Sequence, residues 1–372
     1  MRVALLLLLS ALCSSAFAMD LRQTTLFSYG DSITAGWSVQ QEQDYATNLA
    51  LDGRATLQNR AISGQIACQM SQQQVFSLAD PSVADGARYA TLMIGTNDAN
   101  VQGIGAYESI YEMCLRASLT WLAIPSSHKA LANTAACEKN GDWISDSSMP
   151  LQGLISSRTG DSMRCHLHTD GGPLFIWYKA SDASDGSLRF SIDALDQFQS
   201  VKIRTAVPIR TVDGRGRDGS ASIEIRGLRP GMHAVTLLNN SEKDGSPVMV
   251  YGIGTPAPRI SPALTPEIFV GAVPFQLENK KADATQRYAD LAKSIVTELE
   301  EIQLSVHFVD TRKFMLGTAG EMNDELHPNP LGQQHLKEAF ESAILNYTFA
   351  EPKVWKRNRR KHLRLRALKL LD

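Results

Sequence analysis

The stretch Leu26–Thr34 constrains the fold more than any other part of the chain. It reads Leu-Phe-Ser-Tyr-Gly-Asp-Ser-Ile-Thr, an apolar and aromatic run stopped at Gly30 and followed by two small polar residues. Apolar positions at Tyr45, Leu49 and Leu51 come next, in sequence compatible with a helix. A strand that runs into a tight glycine turn and then a helix is the repeating unit of an open α/β sheet, and such sheets hold their chemistry beyond the carboxyl ends of the strands. Ser32 is the side chain displayed there. A serine hydroxyl is a weak nucleophile unless a base lies within hydrogen-bond reach and donors stabilise the oxyanion.

The same texture recurs on both sides of a long interruption. Helices are expected over 44–51, 66–78 and 106–124, with strands over 55–62 and 90–94. Ala90–Ile94 is a short apolar run of the kind that forms a buried parallel strand, ending at Gly95-Thr96-Asn97-Asp98. From about residue 125 to 258, Gly, Ser, Asp and Thr clusters separate short β-type runs at 173–178, 188–192, 200–206, 221–225, 233–238 and 248–253. That spacing predicts an inserted β-sandwich, jelly-roll-like in kind. Strands at 267–273 and 306–310 and helices at 283–302 and 330–347 then resume the first pattern. The expectation is one discontinuous α/β domain, 19–124 with 259–350, interrupted by a β module at 125–258.

The ends of the chain read differently. Arg2, the apolar run Val3–Leu12 and Ala16-Phe17-Ala18 make residues 1–18 a cleavable secretory signal, too short to span a bilayer. Secretion or periplasmic export is therefore expected, with no transmembrane segment. Removing Cys13 leaves Cys68, Cys114, Cys137 and Cys165. An even count in an exported chain points to disulfides, and Cys68–Cys114 with Cys137–Cys165 keeps each pair within one expected domain; four reduced, buried thiols are the alternative. Net charge is −2, but Lys353–Lys369 holds nine Lys and Arg, so the rest carries about −11. An acidic body argues against nucleic acid as a partner. The basic, leucine-bearing tail at 351–372 is either a solvated terminus or a surface-adhering segment.

Asp324-Glu325-Leu326-His327-Pro328-Asn329 lies between the last expected strand and helix. Three residues apart, Asp324 and His327 fall on one side of a turn, an arrangement suited to a histidine base oriented by a carboxylate; ordinary helix capping is the plain alternative. Each such turn alone is weak. Together, a serine turn, a glycine turn at Gly64, an asparagine turn at Asn97 and Asp324-x-x-His327 all follow expected parallel strands, so they converge on one sheet edge.

In that order, Gly30-Asp31-Ser32-Ile33-Thr34, Gly64, Gly95-Thr96-Asn97-Asp98 and Asp324-x-x-His327 resemble the four sequence blocks of the SGNH (GDSL-type) hydrolases, over about 24–124 and 260–347. The resemblance implies a flavodoxin-like three-layer α/β/α sandwich with a parallel sheet. It implies Ser32 as nucleophile, His327 as base and Asp324 as its orienting partner. Ser32 N–H, Gly64 N–H and the Asn97 amide would form the oxyanion hole, with no cofactor and no metal. The implied activity is hydrolysis of small esters, with an acylated carbohydrate as the first candidate. A lipid-directed esterase, or a glycan-binding protein with a vestigial site, are the rivals.

Other stretches carry less. Cys165-His166-Leu167-His168 lacks a completed ligand set for a metal. Asp213–Ser220 has glycines without the Lys-Ser/Thr ending of a phosphate loop. Trp143, Phe175, Trp177 and Tyr178 are either a sugar-stacking platform, through which the module would contact a glycan, or core. Asn239-Asn240-Ser241 and Asn346-Tyr347-Thr348 have the form of glycosylation sites.

Overall fold

The computed structural model describes residues 19, 21, 22, 24–77, 87–145, 152–193, 198–214, 218–257 and 266–349. The expected signal (1–18) and basic tail (351–372) lie outside them. One sheet is wholly parallel. Taken in chain order, its strands are Thr25–Gly30, Thr56–Asn59, Ala87–Met93, Glu267–Gly271 and Val306–Val309, and they lie in the spatial order 2-1-3-4-5. The chain switches direction across the sheet between the first and third strands, which is where an open α/β sheet leaves a crevice.

Period-two alternation sorts the side chains of these strands between two helical layers. Leu26, Tyr89, Met93 and Phe269 face the helices Tyr45–Gly53 and Pro330–Phe349, where Tyr45 stacks on Phe340 with ring centroids 5.0 Å apart. Phe27, Tyr29, Leu92, Ile268 and Val270 face Glu108–Ala123 and Ala282–Glu301. Helix Tyr45–Gly53 begins where Asp44 accepts a hydrogen bond from Thr47 N–H at 2.8 Å, a side-chain N-cap. In Ala282–Glu301, Tyr288, Ala292, Ile295 and Leu299 recur at three- and four-residue spacing and are buried, giving the apolar stripe a surface helix needs.

Antiparallel sheets are present as well. Gln199–Lys202, Ser187–Ile192, Gly231–Asn239, Ser162–Thr169 and Cys137–Asn140 form one. Asp218–Ile225, Leu174–Ser181, Val248–Gly254 and Lys129–Leu131 form the other, with Leu154–Ser156 also paired to Val248–Gly254. The expected strands at 173–178, 188–192, 221–225, 233–238 and 248–253 are found with small boundary shifts, and that at 200–206 is shorter. Strands at 129–131, 137–140, 154–156 and 162–169 come in addition. The disulfides are Cys68–Cys114 and Cys137–Cys165, the latter joining directly opposed residues of neighbouring strands.

Strand Leu174–Ser181 is buried on both faces. Leu174, Ile176, Tyr178 and Ala180 point into the core between the two antiparallel sheets. Phe175 and Trp177 point the other way, with Met249 and Tyr251, onto Phe76 and Trp121 of the α/β part. Trp121 and Trp177 meet edge to face at 5.0 Å, and Trp177 Nε1–H donates to Thr120 Oγ1 at 2.9 Å. These aromatics, with Trp143, are therefore core residues and not a sugar-stacking surface. Asn239 is likewise fully buried, its amide donating to the Ser156 carbonyl, which removes it as a glycan acceptor.

Truncating a Trp in such a seam costs about 3–5 kcal/mol from lost burial and the cavity left behind. Trp177→Ala is expected to lower the unfolding free energy by that amount in urea titrations. A loss under about 1 kcal/mol would show that the seam is not packed as described.

Candidate active site

The nucleophile turn is held by its surroundings from both sides. Gly30 has φ +157°, and a Cβ there would stand 2.4 Å from the Met93 carbonyl oxygen, so only glycine ends this strand without displacing its neighbour. From the last helix, Gln333 donates through Nε2 to the Ile33 carbonyl and accepts through Oε1 from Tyr45 N–H, each at 3.0 Å. Ser32 lies between these anchors and is largely buried.

The Asp324–His327 loop closes over it. Ser32 Oγ stands 3.0 Å from His327 Nε2, and His327 Nδ1 stands 2.7 Å from Asp324 Oδ2. Asp324 Oδ1 also accepts from Leu326 N–H and His327 N–H, both at 2.8 Å. Partial burial works to raise the Asp324 carboxyl pKa, but the His327 imidazole and these two backbone donors outweigh it and hold the group below its usual range. The loop is buttressed by Glu321, which accepts from Thr318 N–H and from its hydroxyl and pairs with His335. Asn329 caps the helix that follows, its Oδ1 accepting from Leu331 N–H. The capping reading of this stretch thus holds for Asn329, while Asp324 turns to the histidine.

Hydroxyl, imidazole and carboxylate in series can move a proton from the serine to the ring as the oxygen attacks a carbonyl, with the carboxylate fixing the ring's tautomer. The candidate oxyanion donors lie beside them. Gly64 has φ +79° and open space where a side chain would stand, which leaves room for a ligand to approach its backbone. Asn97 Nδ2 donates one hydrogen to the Gln65 carbonyl at 3.0 Å, and the amide carries a second. Asn97 was expected in a strand-closing turn; it occupies the first turn of a short helix, Thr96–Val101.

Sequence reading missed several neighbours. Trp37 is 57% exposed, with its ring 6.3 Å from that of His327. Beyond Asn97 opens a cleft of about 460 Å³ lined by Asn100, Val101, Gln276, Lys281 and Leu326, with Val212 reaching it from the antiparallel part. Lys280 and Glu325 pair at its rim. A lone aromatic next to a turn gives no spacing signal, so Trp37 could be found only from coordinates.

Residues 28–140 match the GDSL-like Lipase/Acylhydrolase family. No curated protein matches the sequence of the chain. Among solved structures, the chain is similar to a lipolytic G-D-S-L family protein from Veillonella parvula at 11% identity and TM-score 0.41, with 88% of this chain and 100% of that one covered. It is similar to the psychrotrophic esterase EstA from Pseudoalteromonas sp. at 11% identity and TM-score 0.38, covering 87% and 98%. A two-domain esterase active on acetylated mannans aligns at 12% identity and TM-score 0.37, covering 63% and 91%. Among the described residues, no helix is long and apolar enough to cross a membrane.

Two buried carboxyls lie near the candidate site. Burial pushes Asp31 and Asp98 up to about 7 each, against backbone donors from Ile33 and Ala67. The native state therefore holds the Asp98 proton more tightly than the unfolded chain does. Its contribution to stability is complete below about pH 4 and is lost as pH rises through about 7. Asp98→Asn keeps an acceptor for Ala67 N–H without the charge. Its Tm relative to the parent is expected to be higher at pH 8 than at pH 5; an equal difference at both would contradict the assignment.

Proposed function

We propose that the protein is an exported serine esterase that removes small acyl groups from a carbohydrate. The observation that carries the reading is the connected line Ser32–His327–Asp324 at 3.0 and 2.7 Å. In the proposed reaction, Ser32 Oγ attacks the ester carbonyl while His327 Nε2 takes its proton. The oxyanion is met by Ser32 N–H, Gly64 N–H and the second Asn97 Nδ2 hydrogen. His327 then protonates the leaving alcohol, and water activated by the same ring releases the acid and restores Ser32.

The alcohol is assigned to a carbohydrate on the chemistry of the cleft. Asn100, Gln276 and Lys281 offer donors and acceptors between Val101 and Leu326, a mixture that suits hydroxyls over the apolar face of a sugar ring better than a bare acyl chain. Exposed Trp37 beside His327 supports the same choice. Export is supported by the sequence of residues 1–18 and by two disulfides, which persist in oxidising compartments. Residues 125–258 are read as an inserted β-sandwich module that supplies Val212 to the cleft wall.

Ser32→Ala is expected to abolish hydrolysis of a short aryl ester and labelling by a fluorophosphonate while the protein stays folded. Full activity in that variant would remove the mechanism. Asn97→Ala should cost about 10²–10³ in kcat, the usual worth of one oxyanion donor; an unchanged rate takes Asn97 out of the site. Faster turnover of long-chain acyl esters than of sugar acetates would transfer the assignment to a lipid substrate.

A further inference from the structure

Three consecutive glutamines, Gln72 to Gln74, occupy a π-helical turn, Ser71–Val75, and Gln72 and Gln74 are each 2% exposed. A buried primary amide must satisfy two donor hydrogens and an acceptor oxygen or cost free energy. Gln74 satisfies all of them next to the serine site. Its Nε2 donates to the Gly30 carbonyl and to Gln65 Oε1, both at 2.7 Å, and its Oε1 accepts from Gly30 N–H at 3.0 Å. Gly30 ends the strand two residues before Ser32. Gln65 follows Gly64, and its carbonyl takes a hydrogen from Asn97 Nδ2. One amide thus ties the loop of Ser32 to the loop of Gly64, and Gln65 carries the connection on to the Asn97 side chain.

Resting on the reading of those three groups as oxyanion donors, we propose that Gln74 is the positioning residue of the oxyanion hole. It touches no substrate and acts through Gly30 and Gln65. Donors aimed at developing charge help only if they are in place before the reaction, and an error of about 0.5 Å degrades them. The rest of the turn supplies the rigidity. Gln72 Nε2 donates to Ser220 Oγ at 2.6 Å and Tyr251 Oη at 2.7 Å, and Ser71 Oγ accepts from Ser220 N–H at 3.1 Å. The turn is therefore braced against the antiparallel sheet on one side while it presents Gln74 to the catalytic loops on the other. π-Helical turns recur at functional sites, where the inserted residue re-aims side chains.

The test uses the full-length protein, a short aryl ester, and active sites counted with a fluorophosphonate. Gln74→Met, of similar length but without the amide, is expected to lower kcat about 10- to 100-fold with KM within about twofold. Gln74→Glu at pH 8 retains an acceptor for Gly30 N–H and loses both donors, so it should lose kcat comparably; it also serves if the Met variant does not fold. Combining either with Asn97→Ala should cost far less than the product of the single losses, because both act on one hole. Parental kcat, a loss confined to KM, or fully multiplicative losses overturn the positioning role and leave the serine mechanism standing. A parent without esterase activity, or an active Ser32→Ala, removes both.

Discussion

The approach of the imidazole at 327 to the hydroxyl at 32 depends on one buried amide. Gln333 lies in the first turn of the last helix and is completely buried, with one hand on the Ile33 carbonyl and the other on Tyr45 N–H. Helix, nucleophile turn and the helix that follows the turn are thereby fixed to each other across 300 positions of sequence. A buried amide that loses such partners pays its full desolvation cost, so the geometry is held by more than the modest net value of two hydrogen bonds. Packing reinforces it, since Tyr45 stacks on Phe340 two turns further along the same helix.

The parallel and antiparallel parts share one continuous apolar core. Phe76, Trp121, Trp177 and Tyr251 form a chain of ring contacts across the seam, with centroids 4.3 to 5.0 Å apart for the successive pairs. Cooperative packing of this kind makes stability a property of the whole and not a sum of two separable units. Polar contacts cross the seam as well, from Gln72 Nε2 to Ser220 Oγ, from Ser220 N–H to Ser71 Oγ and from Trp177 Nε1 to Thr120 Oγ1.

Much of this was legible in the sequence. The first and third strands of the parallel sheet announced themselves as apolar runs closed at Gly30 and Gly95, and the helix at 282–301 by its regular stripe. Ser32, Gly64, Asn97, Asp324 and His327 were all named from turns at expected strand ends, and a parallel sheet brings such turns to one edge without further assumption. What the sequence hid has physical reasons. The three-residue strands at 129–131 and 154–156 are too short to show a period. The helix Thr96–Val101 begins on polar residues that serve equally well in a turn. Strand Leu174–Ser181 is apolar on both faces, so the pattern alone left its aromatics open between surface and core, and they are enclosed. The glutamines at 72 to 74 read only as part of a helix over 66–78, because hydrophilicity does not reveal whether an amide faces water or other amides.

The Cys68–Cys114 bridge lies directly beneath the antiparallel sheet. A Cβ on Gly219 would stand 2.5 Å from Cys114 Sγ and 2.9 Å from Cys68 Sγ, and both cysteines are fully enclosed. Thiol exchange needs a thiolate to reach a sulfur, and here the approach is roofed by main chain. The consequence is chemical durability: while the 218–225 strand is in place, the bond is shielded from reductants.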